Sequence, residues 1–363
     1  AGSSTNREKA FGHQPVAPSE IRNAVGEVTA EELSVEEIGK IIADFVKTAR
    51  FARDAGFDGV EVHAAHSYLI AQFLTPIFNR RTDEYGGTFA KRARFLLEIV
   101  NRIRRETGPD FIISVRMNGE EFTAGGLTVE DAKKIAMLLE DASADVLNIS
   151  TGLTQHSENL TLCYPQGWRV YLAAEIKRVV NIPVIASGNI RDPQYAEEVL
   201  SGGQADFIGL ARGLLADPSW PSKAARGDSG RIRRCISCNI GCTGRRIYGD
   251  RAIRCSVNPD VGREGRQNCG TAAGEDRKQV VVIGAGAAGL NAALEAKKRG
   301  HSVVVFEKGG GIGGLLNIAA VPCGKNVLRS YVEYLRDSIQ EQGIEIRYRE
   351  EATFEKVRGL NPD

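Results

Sequence analysis

Three stretches of the chain carry residue types whose spacing could do chemistry. The first is Cys235-x2-Cys238-x3-Cys242-x12-Cys255, three thiols on one tight loop and a fourth drawn from a short excursion. Thiolates are soft ligands for zinc and for iron–sulfur clusters. A four-thiolate zinc site usually presents two paired hairpins, and Cys255 has no paired partner. Three adjacent corners and one remote corner suit a [4Fe-4S] cube, each of whose irons takes one thiolate. Zinc remains the alternative metal. Cys163, Cys269 and Cys323 show no such spacing.

The second stretch, Val280-Val-Val-Ile-Gly284-Ala-Gly286-Ala-Ala-Gly289, runs from a β-branched strand pattern into a helical one. The strand pattern that follows, Ser302 to Phe306, leads to Glu307, about twenty residues on, as a dinucleotide fingerprint requires. The glycines serve the turn and the close approach of backbone to pyrophosphate. The helix N-terminus faces the phosphates, and the acid takes ribose hydroxyls. A glycine run from Gly309 to Gly314 adds a second close-approach loop, which favours FAD or ADP over NAD as the ligand.

The third stretch is His63-Ala-Ala-His66-Ser-Tyr68 at the end of a strand pattern. Strand-end residues of a βα barrel point into its mouth, so the spacing offers two imidazoles and a phenol to one substrate. Imidazole N–H groups can polarise a carbonyl, and a phenol with a reference pKa near 10 can donate a proton. A zinc pair, or histidines that merely satisfy strand-end carbonyls, is the competing explanation. Arg116 ends the next strand, where a fixed cation would stabilise an anionic flavin ring; a simple salt-bridge role competes. His156 lies just beyond the following strand, as a further mouth residue or an exposed loop histidine. Ser187-Gly188-Asn189 and Leu210-Ala211-Arg212-Gly213 end the last two strands, where such barrels often bind phosphate, here fitting FMN. Ordinary glycine turns are the alternative.

Elements must position these groups. Residues 35 to 226 alternate short apolar runs with amphipathic stretches of helical period, the signature of βα units on a parallel sheet. Strands are expected at Gly59–His63, Phe111–Arg116, Asp145–Ser150, Pro183–Ser187 and Phe207–Leu210. Helices are expected at Val35–Ala55, Lys91–Glu106, Thr128–Ala142, Arg169–Val180, Asp192–Ser201 and Asp217–Arg226. Asp192-Pro193 and Asp217-Pro218 read as an N-cap followed by a first-turn proline. Ala1 to Thr29 reads as a long loop. Five strands fall short of an eight-stranded barrel, which takes about 250 residues. The opening helix precedes the first strand, so three strands are expected before Ala1. The organisation is then a barrel over 1–232, a cluster segment over 233–260, a polar linker over 261–278 and a dinucleotide domain from 279 to 363, incomplete at its end.

Composition narrows the function classes. Lys plus Arg number 47 against 46 Asp plus Glu, a net charge of +1. No charged field exists to recruit nucleic acid or an anionic membrane, and a small-molecule partner is expected. Glycine, 40 of 363 residues, exceeds the usual fraction of about 7%, consistent with phosphate-cradling loops. A crowded thiol cluster without a disulfide framework fits a reducing compartment. With no signal peptide or long apolar run, a cytoplasmic protein is expected. A homo-oligomer is compatible with all of this.

The run EVHAAHSYLIAQFLTPIFNRRTDEYGGT (Glu61 to Thr88), the segment SVRMNGEEF, the phosphate loops, the four-cysteine pattern and GAGAAG in this order resemble the old yellow enzyme superfamily. The resemblance is to its long iron–sulfur flavoproteins, which include 2,4-dienoyl-CoA reductase, 2-enoate reductase and trimethylamine dehydrogenase. It implies a (β/α)8 TIM barrel holding FMN, a [4Fe-4S] loop and a Rossmann-like FAD domain, ADP replacing FAD in the amine dehydrogenase. It further implies reduction of an α,β-unsaturated carbonyl compound with electrons from NAD(P)H. Position by position, Tyr68 matches the proton donor, and His63 and His66 match the pair that holds a substrate carbonyl. His156 falls where the dienoyl-CoA reductases keep a second catalytic residue. Arg116, Gly188, Asn189, Ala211 and Arg212 match FMN contacts. Gly284, Gly286, Gly289, Glu307 and Gly314 belong to the FAD-type fingerprint and its neighbouring loop. Cys235, Cys238, Cys242 and Cys255 match the cluster ligands. The amine dehydrogenase carries a tyrosine in place of His63, which favours a reductase here; an outward-passing amine dehydrogenase is the alternative.

Overall fold

The computed structural model describes residues 13–22, 27–152, 164–266 and 277–363, and its longest helix begins at a side-chain cap that satisfies its first N–H groups. Ser34 accepts from the Glu37 N–H and Glu37 accepts from the Ser34 N–H, a capping box that opens α1 (Val35–Asp54). The chain divides into two compact units. Ala1–Asn159, Gly167–Ile190 and Gln194–Gly209 form the first, and Leu160–Gln166, Arg191–Pro193 and Leu210–Asp363 the second.

The first unit begins with a small sheet of β1 (Val16–Ala17), β2 (Ile21–Arg22) and β3 (Val28–Glu32), in the order β1-β3-β2. A continuous loop over Ala1 to Thr29 is therefore corrected. These strands are too short to show a period, and a distant side chain helps hold them. The buried Arg81 guanidinium donates to Pro18 O at 2.8 Å and Leu33 O at 2.6 Å.

The main sheet has the order β4 (Gly59–Ala64), β5 (Ile112–Asn118), β6 (Val146–Ser150), β7 (Val184–Ser187) and β8 (Phe207–Gly209), every neighbouring pair parallel. All five strands fall within two residues of their predicted limits. Between them run α2 (Leu69–Leu74), α3 (Phe89–Thr107), α4 (Val129–Asp141), α5 (Val170–Lys177) and α6 (Pro193–Ser201). The short α2 was not anticipated. Ile38 and Ile42 of α1 and Phe95, Leu96 and Ile99 of α3 are buried along helical periods. This is the βα arrangement of a barrel, but among the described residues hydrogen bonds do not close it, and β4 and β8 remain edges. An apolar groove of about 580 Å³ follows the β4 edge, lined by Phe45, Ala52, Phe57 and Val60 among others; the histidines are not part of it.

The second unit opens with α7 (Arg212–Ala216) and α8 (Trp220–Ala225). The single helix expected over Asp217–Arg226 is corrected. Asp217 has extended backbone and is a hub instead of an N-cap, accepting from the Ser219 and Arg233 N–H groups and from Lys223 Nζ. The cysteine loop follows, with a π-helical turn over Ile240–Tyr248. Then come β9 (Gln279–Ile283), α9 (Ala287–Lys298), β10 (Ser302–Glu307), α10 (Leu315–Ala319), α11 (Val327–Glu341), β11 (Glu345–Tyr348) and α12 (Phe354–Gly359). The sheet is parallel in the order β11-β10-β9. Its core includes Leu290, Val305 and Leu335 together with Ile236 and Val257 of the cysteine segment, and Cys235, Cys238 and Cys255 pack against it. Among the described residues no helix is long and apolar enough to cross a membrane.

Candidate active site

Parallel strands in register project one row of side chains to one face. His63 on β4 stands opposite Arg116 on β5, which stands opposite Asn148 on β6. Each member of this row has a buried polar atom without a hydrogen-bond partner: His63 Nδ1, Arg116 Nε and Asn148 Oδ1. An unsatisfied buried polar atom costs about 1–3 kcal/mol, and three in one row mark a surface built to meet a polar ligand. Asn148 was not singled out from the sequence. Its signal was there: a strand buried on both faces reads as a continuous apolar run, and Val146-Leu-Asn-Ile-Ser150 breaks that run twice. The Asn148 amide donates to Glu61 Oε2 at 2.9 Å, beside the Ser114 hydroxyl at 3.0 Å, which orients the side chain.

Beyond β4 the chain turns through His66 and Ser67, both at φ 58°. Consecutive non-glycine residues in the left-handed region store about 1–3 kcal/mol each, and surrounding bonds hold them there. The His66 N–H donates to Asn118 Oδ1 at 3.2 Å, and His66 Nε2 lies 2.5 Å from Ser150 Oγ at the end of β6. Asn118 is anchored in turn by Glu121, whose buried carboxylate also accepts from Thr75 Oγ1 and the Leu127 N–H. Burial pushes the Glu121 carboxyl up. The loop brings the His63 and His66 rings to 5.1 Å and the His63 and Tyr68 rings to 5.0 Å between centroids. Tyr68 occupies the N-cap position of α2 without a side-chain capping bond, and it is 44% exposed.

Both imidazoles are held neutral. Burial lowers the His63 pKa, and the Arg116 charge lowers it further. Burial, then Arg116, His63 and Arg169, lowers His66 from 6.5 to about 3. A neutral imidazole offers one N–H donor and one acceptor, so the pair can hold a carbonyl oxygen without surrendering a proton at neutral pH.

Past β7, Gly188 has φ 141° and Asn189 φ 61°. A Cβ on Gly188 would lie 2.6 Å from Arg169 Cγ and Nε, so only glycine lets that side chain pass. Arg169 Nε donates to Ser187 O at 3.0 Å and its Nη1 to Thr151 Oγ1 at 2.8 Å. Arg169 was also missed in the sequence, where it reads as a helix residue. His156 and the cysteines Cys163 and Cys269 lie outside the described residues.

In the second unit, Ala211 precedes α7 and Arg212 opens it; the Arg212 Nη1 donates to Asn239 Oδ1 at 2.7 Å. Cys235, Cys238, Cys242 and Cys255 are partly buried free thiols. The Ser237 N–H reaches Cys235 Sγ at 3.4 Å, and the Ser256 and Thr243 hydroxyls lie 3.3 and 3.8 Å from Cys238 and Cys242. Burial pushes the Cys235 thiol up, against the pull of the Ser237 N–H and Arg212. Among the described residues no three thiols, imidazoles or carboxylates are gathered as a site for a single metal ion. An all-thiol donor set with N–H and O–H groups beside its sulfurs fits the chemistry of an iron–sulfur cluster, whose potential such bonds tune.

At the dinucleotide turn Gly284 has φ 95°, and a Cβ on Gly289 would meet Gly284 O at 2.0 Å. Glu307 accepts from the Ala285 N–H at 2.8 Å and the Gly309 N–H at 2.6 Å. Gly286 pairs with Gly313 as an isolated bridge, and Gly314, at φ 50°, precedes α10. The two glycine loops therefore meet, and Glu307 ties them together.

One unit therefore presents a parallel βα sheet with a polar strand-end row, and the other a glycine-loop dinucleotide fold. Residues 2–229 match the model of the NADH:flavin oxidoreductase / NADH oxidase family, and residues 279–340 match a FAD binding domain. The chain belongs to the NADH:flavin oxidoreductase / NADH oxidase family. It is 46% identical to an NADH oxidase of Thermoanaerobacter brockii, over 100% of this chain and 56% of that protein. It is 34% identical to a cinnamate reductase of Clostridium sporogenes, over 97% and 55%. It superposes on a 2-naphthoyl-CoA reductase in complex with 2-naphthoyl-CoA with a TM-score of 0.94 at 30% identity, covering 100% of this chain and 57% of that one. Against histamine dehydrogenase from Rhizobium sp. 4-9 the TM-score is 0.87 at 29% identity, over 96% and 52%. The chain thus spans about half the length of the relatives it matches. The old yellow enzyme resemblance and the expected α/β fold agree with these matches.

Proposed function

We propose that this chain carries the flavin and substrate sites of an NAD(P)H-dependent ene-reductase that reduces the C=C bond of an α,β-unsaturated carbonyl compound. The observation that carries the reading is the row of orphaned buried atoms on His63, Arg116 and Asn148 beside the accessible Tyr68 phenol. Similarity to a cinnamate reductase and to a naphthoyl-CoA reductase supports it.

Within the first unit Arg116, Gly188 and Asn189 would hold FMN, Ala211 and Arg212 being FMN contacts by the family resemblance alone; in the second unit the Gly284–Gly289 turn and Glu307 would hold FAD and the four cysteines a [4Fe-4S] cluster, and bound there these groups would supply hydride and single-electron transfer. The residues of the chain do the rest. His63 and His66, neutral and fixed, donate to the substrate carbonyl and stabilise the negative charge that develops on its oxygen. Ser150 fixes the orientation of His66 through its Nε2, which leaves the other ring nitrogen for the substrate. Arg116 would supply a permanent cation that stabilises negative charge on the flavin when it is bound. Tyr68 delivers a proton to the α-carbon. His156 is retained as an additional proton donor from the sequence pattern alone.

The test is single-turnover reduction of an enone by pre-reduced protein. Tyr68→Phe should slow it about 10²–10⁴-fold and leave substrate binding close to wild type. An undiminished rate removes Tyr68 from this role. Similarity to histamine dehydrogenase favours a second reading, in which an amine reduces the flavin and electrons leave through the cluster. Two flavins per chain and reduction by NAD(P)H support the reductase; one flavin with bound ADP, reduced by amines, supports the dehydrogenase.

A further inference from the structure

The loop that carries the first three cysteines has two non-glycine residues in the left-handed region, Ser237 at φ 53° and Asn239 at φ 56°. They flank Cys238, and such a backbone costs energy that something must repay. Each side chain is held by a guanidinium from outside the loop. Arg191 Nη1 donates to Ser237 Oγ at 2.9 Å, and Arg212 Nη1 to Asn239 Oδ1 at 2.7 Å. Ser237 is buried. Arg191 is itself fixed at the backbone, where its N–H donates to Gln166 Oε1 and its carbonyl accepts from Trp220 Nε1. The Asn239 carbonyl accepts from the Gly244 N–H at 2.7 Å, which joins the loop to the turn bearing Cys242. The nearby Arg234 is paired with Asp192 at 3.0 Å, so its charge is offset.

We propose that Arg191 and Arg212 are positioning residues of the cysteine loop, clamping it through Ser237 and Asn239 and raising the reduction potential of the cluster it holds. This rests on the iron–sulfur reading of the four cysteines. The physical basis is charge. A cluster ligated by four thiolates is anionic, and reduction by one electron makes it more so. Fixed cations in a partly buried site stabilise the reduced form more than the oxidised one. The clamp and the charge are separable, because the hydrogen bonds set where the sulfurs sit and the cations set how readily the cluster takes an electron.

The experiment is an anaerobic redox titration of the purified protein with its cofactors bound, following the cluster by electron paramagnetic resonance alongside iron and sulfide content. Arg191→Gln keeps a side-chain amide near Ser237 but removes the charge, and its midpoint should fall below that of wild type. Arg191→Lys keeps the charge, and its midpoint should stay at the wild-type value. Asn239→Ala breaks one clamp and leaves both charges, and should lose iron faster on gel filtration at an unchanged midpoint. A wild-type midpoint in iron-replete Arg191→Gln overturns the proposal, as does an equal fall in Arg191→Lys. If Arg191→Gln holds no iron, Arg212→Gln is titrated in its place, with the same fall expected and an unchanged midpoint overturning the charge assignment. Wild-type protein devoid of iron and sulfide overturns the cluster reading itself, a result distinct from unchanged midpoints in loaded protein.

Discussion

Replacing His66 by asparagine should flatten the acid side of the stability profile. In the folded chain burial lowers the His66 pKa from 6.5 to about 3, helped by the neighbouring Arg116, His63 and Arg169. In the unfolded chain the imidazole returns to about 6.5. Between these values the unfolded state binds a proton that the native state refuses. Stability is therefore fully present above pH 6.5 and is lost as the pH falls toward 3. At pH 4.5, two units below the unfolded value, the loss from this one group reaches about 2.7 kcal/mol relative to pH 7.5. Asparagine cannot titrate. It also breaks the contact with Ser150, but that loss is present at both pH values and cancels from the difference. The assay is urea unfolding of the cofactor-free protein at pH 7.5, 6.0 and 4.5, with ΔG extrapolated for each. Wild type should lose about 2.7 kcal/mol more than His66→Asn between the extremes. Equal losses would refute the neutral, buried imidazole on which the carbonyl-holding role depends.

Two further substitutions probe the loops. Gly289→Ala would push a Cβ to 2.0 Å from Gly284 O, prising helix α9 from the turn; it should destabilise the protein by about 1–3 kcal/mol and abolish the FAD content measured after denaturation. Gly188→Ala drives a Cβ into Arg169 and must break its bonds to Ser187 and Thr151. It should weaken FMN binding in a fluorescence titration of the apoprotein, whereas wild-type affinity would mean that Arg169 does not need that path.

Much of the molecule is legible without coordinates. The five parallel strands were readable because a buried strand and an amphipathic helix write different periods into a short window. The dinucleotide turn was readable for a similar reason: Gly284, Gly286, Gly289 and Glu307 lie in a single βαβ stretch, and their roles follow from local backbone geometry. The cysteine spacing is equally local. By contrast, Asp217-Pro218 looked like a helix start, and the competing bonds from Lys223 and Arg233 could not be seen from the dipeptide.

The sequence by itself determined the chemistry available: two imidazoles and a phenol after one strand, a strand-end arginine, four spaced thiols and a glycine fingerprint. Only the tertiary structure decided how these groups are set. Strand register aligned His63 with Arg116 and recruited Asn148. Burial made His66 neutral, Ser150 oriented it from a strand 84 residues away in sequence, and Arg191 reached Ser237 across 46 residues. Residue types and short spacings are local properties of a chain. Desolvation, register and contacts between distant residues exist only once the core has packed.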